Sequence, residues 1–411
     1  MADSNAILVW VTGQDRPGIT VGVLEVVAAT GAFVHDVQQI TMRGRLTLGM
    51  ALQVPSGHDA LKDLLFFGWE NDLAIDFEAV PDPKPSQGSG AKRSPGHVVT
   101  VLGRNLSANS LRTAAQAVTD VGANIDRIVR LSSYPVYSYE FIVSGGASGD
   151  LRSSLMAAAS NNPELDVAVQ REGLRRRAKR LVVLDVDSTL IQNEVIDLLA
   201  DEAGVGDACK AITERAMAGE LDFEQSLNAR VALLAGSSAD IIDRAKQRLK
   251  LARGARTFVR TLHRLGFRTA IVSGGFTVFT DELKTELGLD HAHANELEIV
   301  DGIITGKIIG PVVDRARKAE LLVEIAALEN VPLDQTVAVG DGANDLDMLD
   351  AAGLGIAFNA KQVVQEKADT AVSVPYLDAI LFVLGVPRED IEEADFEAHG
   401  GPLNYPELES E

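Results

Sequence analysis

The sequence predicts an α/β protein: a Rossmann-like open sheet with a helical cap, preceded by two copies of a small ferredoxin-like β-α-β-β-α-β unit. Three observations carry this reading. Leu181-Val182-Val183-Leu184 is an aliphatic run, as in a strand buried on both faces, and it leads straight into Asp185-Val186-Asp187. Two later strand-like runs also end in polar or glycine-rich segments, at Ser273-Gly274-Gly275 and at Gly340-Asp341-Gly342-Ala343-Asn344-Asp345. Ahead of all three, one order of elements occurs twice.

Composition excludes several classes. With 411 residues, 46% of them hydrophobic, the chain is expected to form more than one domain. A net charge of -21 argues against nucleic acid, because phosphate backbones need a basic surface. No apolar run approaches a membrane span and no secretory leader is apparent at Met1-Ala2-Asp3-Ser4-Asn5, so the expected location is cytoplasmic. Cys209, the single cysteine, has no internal disulfide partner.

In chain order, residues 6–11 read as a strand, 13–19 as a turn, 20–29 as a helix closed by Gly31, 34–42 and 46–54 as strands, 59–69 as a helix and 73–80 as a strand. The pattern restarts at 97–102, with Gly103 matching Gly13 and Gly122-Ala123-Asn124-Ile125 matching Gly31-Ala32-Phe33-Val34. Between the copies, residues 82–92 are rich in Pro, Gly and Ser and read as a linker. Gly13-Gln14-Asp15-Arg16-Pro17-Gly18 resembles the G-x-D-R-P-G signature of ACT domains, small modules that often bind amino acids between two copies. By that resemblance Asp15 and Gly18 are regulatory-ligand residues. The second copy carries Asn105-Leu106-Ser107-Ala108-Asn109 there instead, a departure from the signature. The basic run from Arg175 to Arg180 lacks interleaved aromatics and reads as the solvated end of a connecting segment.

After the Asp185-Val186-Asp187 strand end, 194–203 and most of 207–250 are helical by their apolar spacing, which places a cap over that end. Carboxylates two residues apart repel unless a proton or cation lies between them, although the pair alone is also compatible with a solvated corner. Residues 268–272 form a second buried strand, and the short side chains after it let backbone N–H groups approach an anion. Asp301-Gly302 signals a hairpin between 298–300 and 303–309. A helix over 314–328 carries Lys318 near its start, against the helix dipole, where it is either solvated or answering an anion. The strand over 336–339 returns Asp341 and Asp345 to a strand end. Past Pro387 the chain turns acidic and is expected to be a mobile tail.

These four motifs in this order resemble the haloacid dehalogenase superfamily of phosphoryl-transfer enzymes. Glu194, Met217, Phe223 and Arg230 stand at the spacings of its phosphoserine phosphatase family, whose longer members carry two ACT domains. The resemblance implies ACT domains at 1–82 and 97–172, a linker at 83–96, a phosphatase domain at 173–386 with its cap at approximately 195–255, and the tail at 387–411. It also implies O-phospho-L-serine as substrate in the last step of serine biosynthesis, with Asp185 as nucleophile and Asp187 as general acid and base. Mg²⁺ would be held by Asp185, Asp341 and the Asp187 carbonyl, with Asp345 behind them. Ser273, Gly274, Lys318 and Asn344 would hold the phosphoryl group. Glu194 and Arg230 would read the substrate's ammonium and carboxylate, while Met217 and Phe223 exclude water. L-Serine feedback and a homodimer through the ACT domains are expected as well. A dehalogenase or phosphonatase would not be expected to keep Asp187, and an ion pump would need membrane spans. A non-enzymatic amino-acid sensor would not need every catalytic position filled.

Overall fold

The computed structural model describes residues 5–55, 60–80 and 96–399. They fall into two compact units, Met1–Arg93 and Ser94–Glu411. The expected linker lies outside the described residues apart from Gly96.

The first unit has four strands, β1 (Asn5–Gln14), β2 (Phe33–Met42), β3 (Arg45–Val54) and β4 (Ala74–Val80), in the antiparallel order β2-β3-β1-β4. Val9 and Val11 of β1 are buried on either side of exposed Trp10, the two-residue period of a sheet with one covered face. They share a core with Leu46, Leu48, Met50 and Leu52 of β3, and with Ile19, Val23, Val27 and Leu64 of the helices Ile19–Ala29 and Ala60–Glu70. Each such side chain contributes roughly 1.5–3 kcal/mol on burial. This is the predicted β-α-β-β-α-β unit.

The second unit repeats that topology with β5 (His97–Gly103), β6 (Asn124–Ser133), β7 (Tyr137–Ser144) and β8 (Asp166–Arg171). It continues into β9 (Leu181–Leu184), β10 (Arg268–Phe276), β11 (His291–Val300), β12 (Ile303–Ile309), β13 (Thr336–Gly340), β14 (Gly355–Phe358) and β15 (Thr370–Val372). The sheet order is β12-β11-β10-β9-β13-β14-β15-β8-β5-β7-β6, with every pair from β11 to β15 parallel. Strand β9 is central. Its Val182 and Leu184 join one core and its Leu181 and Val183 another, which is why the run is aliphatic without alternation.

One sheet runs across residues 97–172 and 173–386, because β8 meets β15 at Thr370↔Ala168. The seam is held by Ser373 N–H donating to Asp166 Oδ2 (2.6 Å), Gln170 Nε2 donating to Val383 O (2.7 Å), and Arg152 Nη1 donating to Asp369 Oδ1 (3.0 Å). Burial raises the Asp166 pKa to about 6, against the Ser373 hydrogen bonds that lower it. The basic run is not solvated throughout: Arg176 is buried against Glu140 (2.5 Å), and the Lys179 ammonium donates to the carbonyls of Asp334 and Thr336.

The expected mobile tail is a helix over Arg388–His399, and residues 400–411 lie outside the described residues. Ile391 is buried in the core, and Asp395 accepts both Nε (2.9 Å) and Nη2 (2.6 Å) of Arg260. Acidic composition reads as solvation until opposing arginines, more than a hundred residues upstream, supply the countercharge.

The cap follows β9 as the helices Val195–Glu202, Gly206–Met217, Phe223–Ala232 and Asp240–Lys246. Asp222 starts the third of these with a capping box to Gln225. The hairpin β11–β12 turns at Asp301 and Gly302, both at positive φ, and its strand β12 exchanges backbone hydrogen bonds with the cap at Gly236 and Ser237. Among the described residues no helix is long and apolar enough to cross a membrane.

Candidate active site

Strand β9 lies between β10 and β13, and the chain leaves β9 in opposite directions to reach them. The carboxyl end of such a strand opens into a crevice, since no crossover covers it. Asp185 emerges there, its N–H donating to Val339 O of β13 (2.9 Å). Beyond it the chain turns sharply, with Ser188 at φ 57°, so that Asp187 and Glu194 face the same opening. The cleft measures about 570 Å³.

Most of the expected residues meet in this cleft. Asp185, Asp187, Glu194, Phe223, Arg230, Gly274, Lys318, Asp341 and Asn344 all line it. Lys318 lies one turn into the helix Arg315–Leu328 and is 1% exposed. Its Nζ is 2.7 Å from both Asp185 Oδ1 and Asp345 Oδ1, so the anion it answers is a pair of carboxylates. Burial opposes its charge, but those two carboxylates hold its pKa above the ordinary lysine range. Gly274 has no side chain because the cap comes close: a Cβ there would stand 2.9 Å from Phe223 Cζ.

Carboxylates set the electrostatics. Asp185 is held well above the usual carboxylate range, first by burial and then by the charge of Asp345. Burial raises Asp187 as well, although Val195 N–H (2.7 Å, to Oδ1) and the Ser273 hydroxyl (3.0 Å, to Oδ2) both donate to it. Asp341 rises to about 6 through burial and Asp345, with Thr189 Oγ1 donating to it at 3.0 Å. Oxygens of Asp185, Asp341 and Asp345 lie within 4.8 Å of one another. An all-oxygen, multiply anionic set suits a hard divalent cation, whose charge would offset the repulsion within it. Within that set Asp345 has both oxygens engaged, by Lys318 and by Gly342 N–H (2.9 Å), as befits a supporting position.

Ser273 lies beside Asp187. It is 1% exposed, accepts Gly275 N–H (2.7 Å) and donates to Asp187. Glu194 is exposed by overall area, yet its carboxyl faces the cleft. Desolvation there, then the charge of Asp187, raise its pKa to about 7, and Ser188 Oγ donates to it at 2.9 Å. Arg230 comes from the third cap helix, its Nε donating to Ser226 O (3.3 Å). Met217 ends the second cap helix, but its side chain lies outside the described residues.

Two residues that contribute here escaped sequence reading. Asp197 lines the cleft one turn after Glu194 and accepts from Cys209 Sγ at 3.7 Å. Its i+3 spacing from Glu194 was the available signal. Asn295 is buried behind Gly274 and carries no local signal in the sequence.

A model of haloacid dehalogenase-like hydrolases matches residues 182–350, and ACT-domain models match residues 5–78 and 95–170. The chain is 50% identical over 395 residues to the phosphoserine phosphatase of Streptomyces coelicolor, covering 96% of this chain and 95% of the relative. It is 48% identical over 402 residues to the phosphoserine phosphatase SerB2 of Mycobacterium tuberculosis, covering 95% of each. Among solved structures, the unliganded crystal structure of a probable phosphoserine phosphatase from Vibrio cholerae aligns at TM-score 0.56 and 38% identity, over 70% of this chain and 86% of that one.

Proposed function

The chain belongs to the phosphoserine phosphatase family of haloacid dehalogenase-like hydrolases, and on that premise we propose that it hydrolyses O-phospho-L-serine to L-serine and phosphate, the last step of serine biosynthesis. The observation that carries this is a single cleft uniting a phosphoryl set, Asp185, Lys318 and Gly274, with one anion and one cation from the cap, Glu194 and Arg230.

A carboxylate oxygen of Asp185 attacks phosphorus as the bond to the serine oxygen breaks, leaving the phosphoryl group on Asp185. Asp187 gives its proton to the departing oxygen. It then takes one from the water that attacks phosphorus and releases Asp185. The raised pKa of Asp187 suits the first role, and its bond to Val195 N–H fixes its direction. When Asp187 carries the proton, Ser273 can accept from it and turn its own hydroxyl towards the phosphoryl oxygens, alongside Gly274 N–H and Lys318. Asn344 lines the same cleft. The cation we propose is Mg²⁺, held by Asp185, Asp341 and the Asp187 carbonyl with Asp345 behind them, and it would supply charge neutralisation for the phosphoryl transfer. Glu194 receives the substrate ammonium, which would restore its ionisation, and Arg230 receives the carboxylate. Phe223 closes the pocket against water.

Turnover of O-phosphoserine with Mg²⁺, set against a panel of phosphomonoesters, tests this reading; no preference for phosphoserine would sink it. Arg230→Ala separates recognition from chemistry. It should raise KM for O-phosphoserine by a factor equivalent to roughly 2–5 kcal/mol while sparing p-nitrophenyl phosphate, which has no carboxylate. Equal losses on the two substrates would assign Arg230 to cap support.

L-Serine is also proposed as a regulator acting at Asp15 and Gly18, in a cytoplasmic homodimer assembled through the ACT domains. Gly18 supports this: it caps the helix Ile19–Ala29 at φ 96°, and no atom lies within 4 Å of where a Cβ would be, leaving room for a ligand at the start of that helix. Because any side chain at that φ is strained, exposed Asp15 is the better probe. Asp15→Ala should weaken serine inhibition several-fold, a coupling of about 1–3 kcal/mol. Undiminished inhibition in that variant would place the effect in the catalytic pocket.

A further inference from the structure

Asn295 stands on β11 opposite Phe276 of β10 and is 1% exposed. Its Nδ2 donates to Gly274 O (2.8 Å), and its Oδ1 accepts Val313 N–H (2.7 Å). The peptide joining Gly274 to Gly275 is therefore held at both ends. Asn295 holds its carbonyl, and Ser273 Oγ holds its N–H at 2.7 Å, the same oxygen whose hydroxyl donates to Asp187. On the other arm, Val313 precedes Asp314, whose side chain accepts Arg317 N–H (2.8 Å) and starts the helix that delivers Lys318.

One buried amide thus spans the glycine loop and the approach to the lysine helix. Burying an amide costs free energy unless both ends are satisfied, and here each end satisfies a backbone group that an apolar side chain of similar volume would leave unpaired. What the apolar residue would lack is direction. Without the donor, the Gly274–Gly275 peptide could rotate, carrying the neighbouring Gly274 N–H and the Ser273 contact out of line with Asp187. Without the acceptor, the segment before Lys318 would lose its fixed distance from that loop.

We propose that Asn295 is a positioning residue for phosphoryl transfer, clamping the Gly274–Gly275 peptide and the Val313 backbone so that Gly274, Ser273 and Lys318 keep one spacing around the phosphoryl group. The inference rests on the phosphatase reading above. It assigns Asn295 to the chemical step, common to all phosphomonoester substrates, and separates it from the cap residues that read serine.

The test uses the full-length chain with Mg²⁺, O-phosphoserine and p-nitrophenyl phosphate. Asn295→Asp keeps the volume and the acceptor for Val313 but turns an oxygen towards Gly274 O. Removing an oxyanion donor outright costs about 10²–10³ in kcat, so a displaced one should cost about 10- to 100-fold, equally on both substrates. KM for O-phosphoserine should stay within about threefold, and inhibition by vanadate should weaken by about the same factor as kcat. A merely structural residue would lower the melting temperature and leave kcat at 25 °C alone. A folded Asn295→Asp enzyme with kcat and vanadate inhibition within about threefold of wild type overturns the proposal. If that variant does not fold, amide exchange in the wild type decides: Gly275 and Val313 N–H should be strongly protected, and exchange of both at exposed-loop rates overturns the clamp. Wild-type protein without phosphatase activity would instead refute the underlying reading, a separate outcome.

Discussion

Asp185→Asn should lose more than about a thousandfold in turnover, over ~4 kcal/mol of barrier, while remaining folded. The amide matches the carboxylate in shape but cannot attack phosphorus. Its effect on stability should be small or favourable in metal-free protein. The Asp185 carboxyl is buried and faces Asp345, and both raise the cost of its charge, so a neutral isostere removes repulsion while forfeiting the Lys318 ion pair. Steady-state turnover with thermal denaturation alongside checks both parts. Activity above about a thousandth of wild type would refute covalent attack by Asp185.

Asp187→Asn should slow turnover by about a hundred- to ten-thousandfold through loss of the proton shuttle. The geometry admits the amide in one orientation. Its oxygen must face Val195 N–H, so its NH₂ faces Ser273, whose hydroxyl can rotate to accept. Since p-nitrophenol leaves without a proton, the variant should still release it in a single-turnover burst and then stall, because the attacking water has no base. Undiminished steady-state turnover of O-phosphoserine would remove Asp187 from the mechanism.

Much of this site was legible because its signals are local. A strand buried on both faces must be aliphatic, so the runs before Asp185, Ser273 and Gly340 mark themselves, and the polar residues that end them mark one edge of the sheet. Lys318 was readable only as an oddity, a cation at the wrong end of a helix. Its two carboxylate partners are 133 and 27 residues away, so only the fold could reveal what it answers.

By itself the sequence determined the repeated β-α-β-β-α-β units, the order of the catalytic strands, the cap and the chemistry their ends can perform. These follow from periodicity, turn residues and spacing, each settled within a few neighbouring residues. Tertiary structure alone decided the rest: that β8 extends the catalytic sheet through Thr370, that an acidic segment becomes a helix once Arg260 meets Asp395, and that Asn295 reaches Gly274 and Val313 together. A buried polar residue has no periodicity to betray it. Its stability depends on partners distant in sequence, and those partners exist only after the strands have paired.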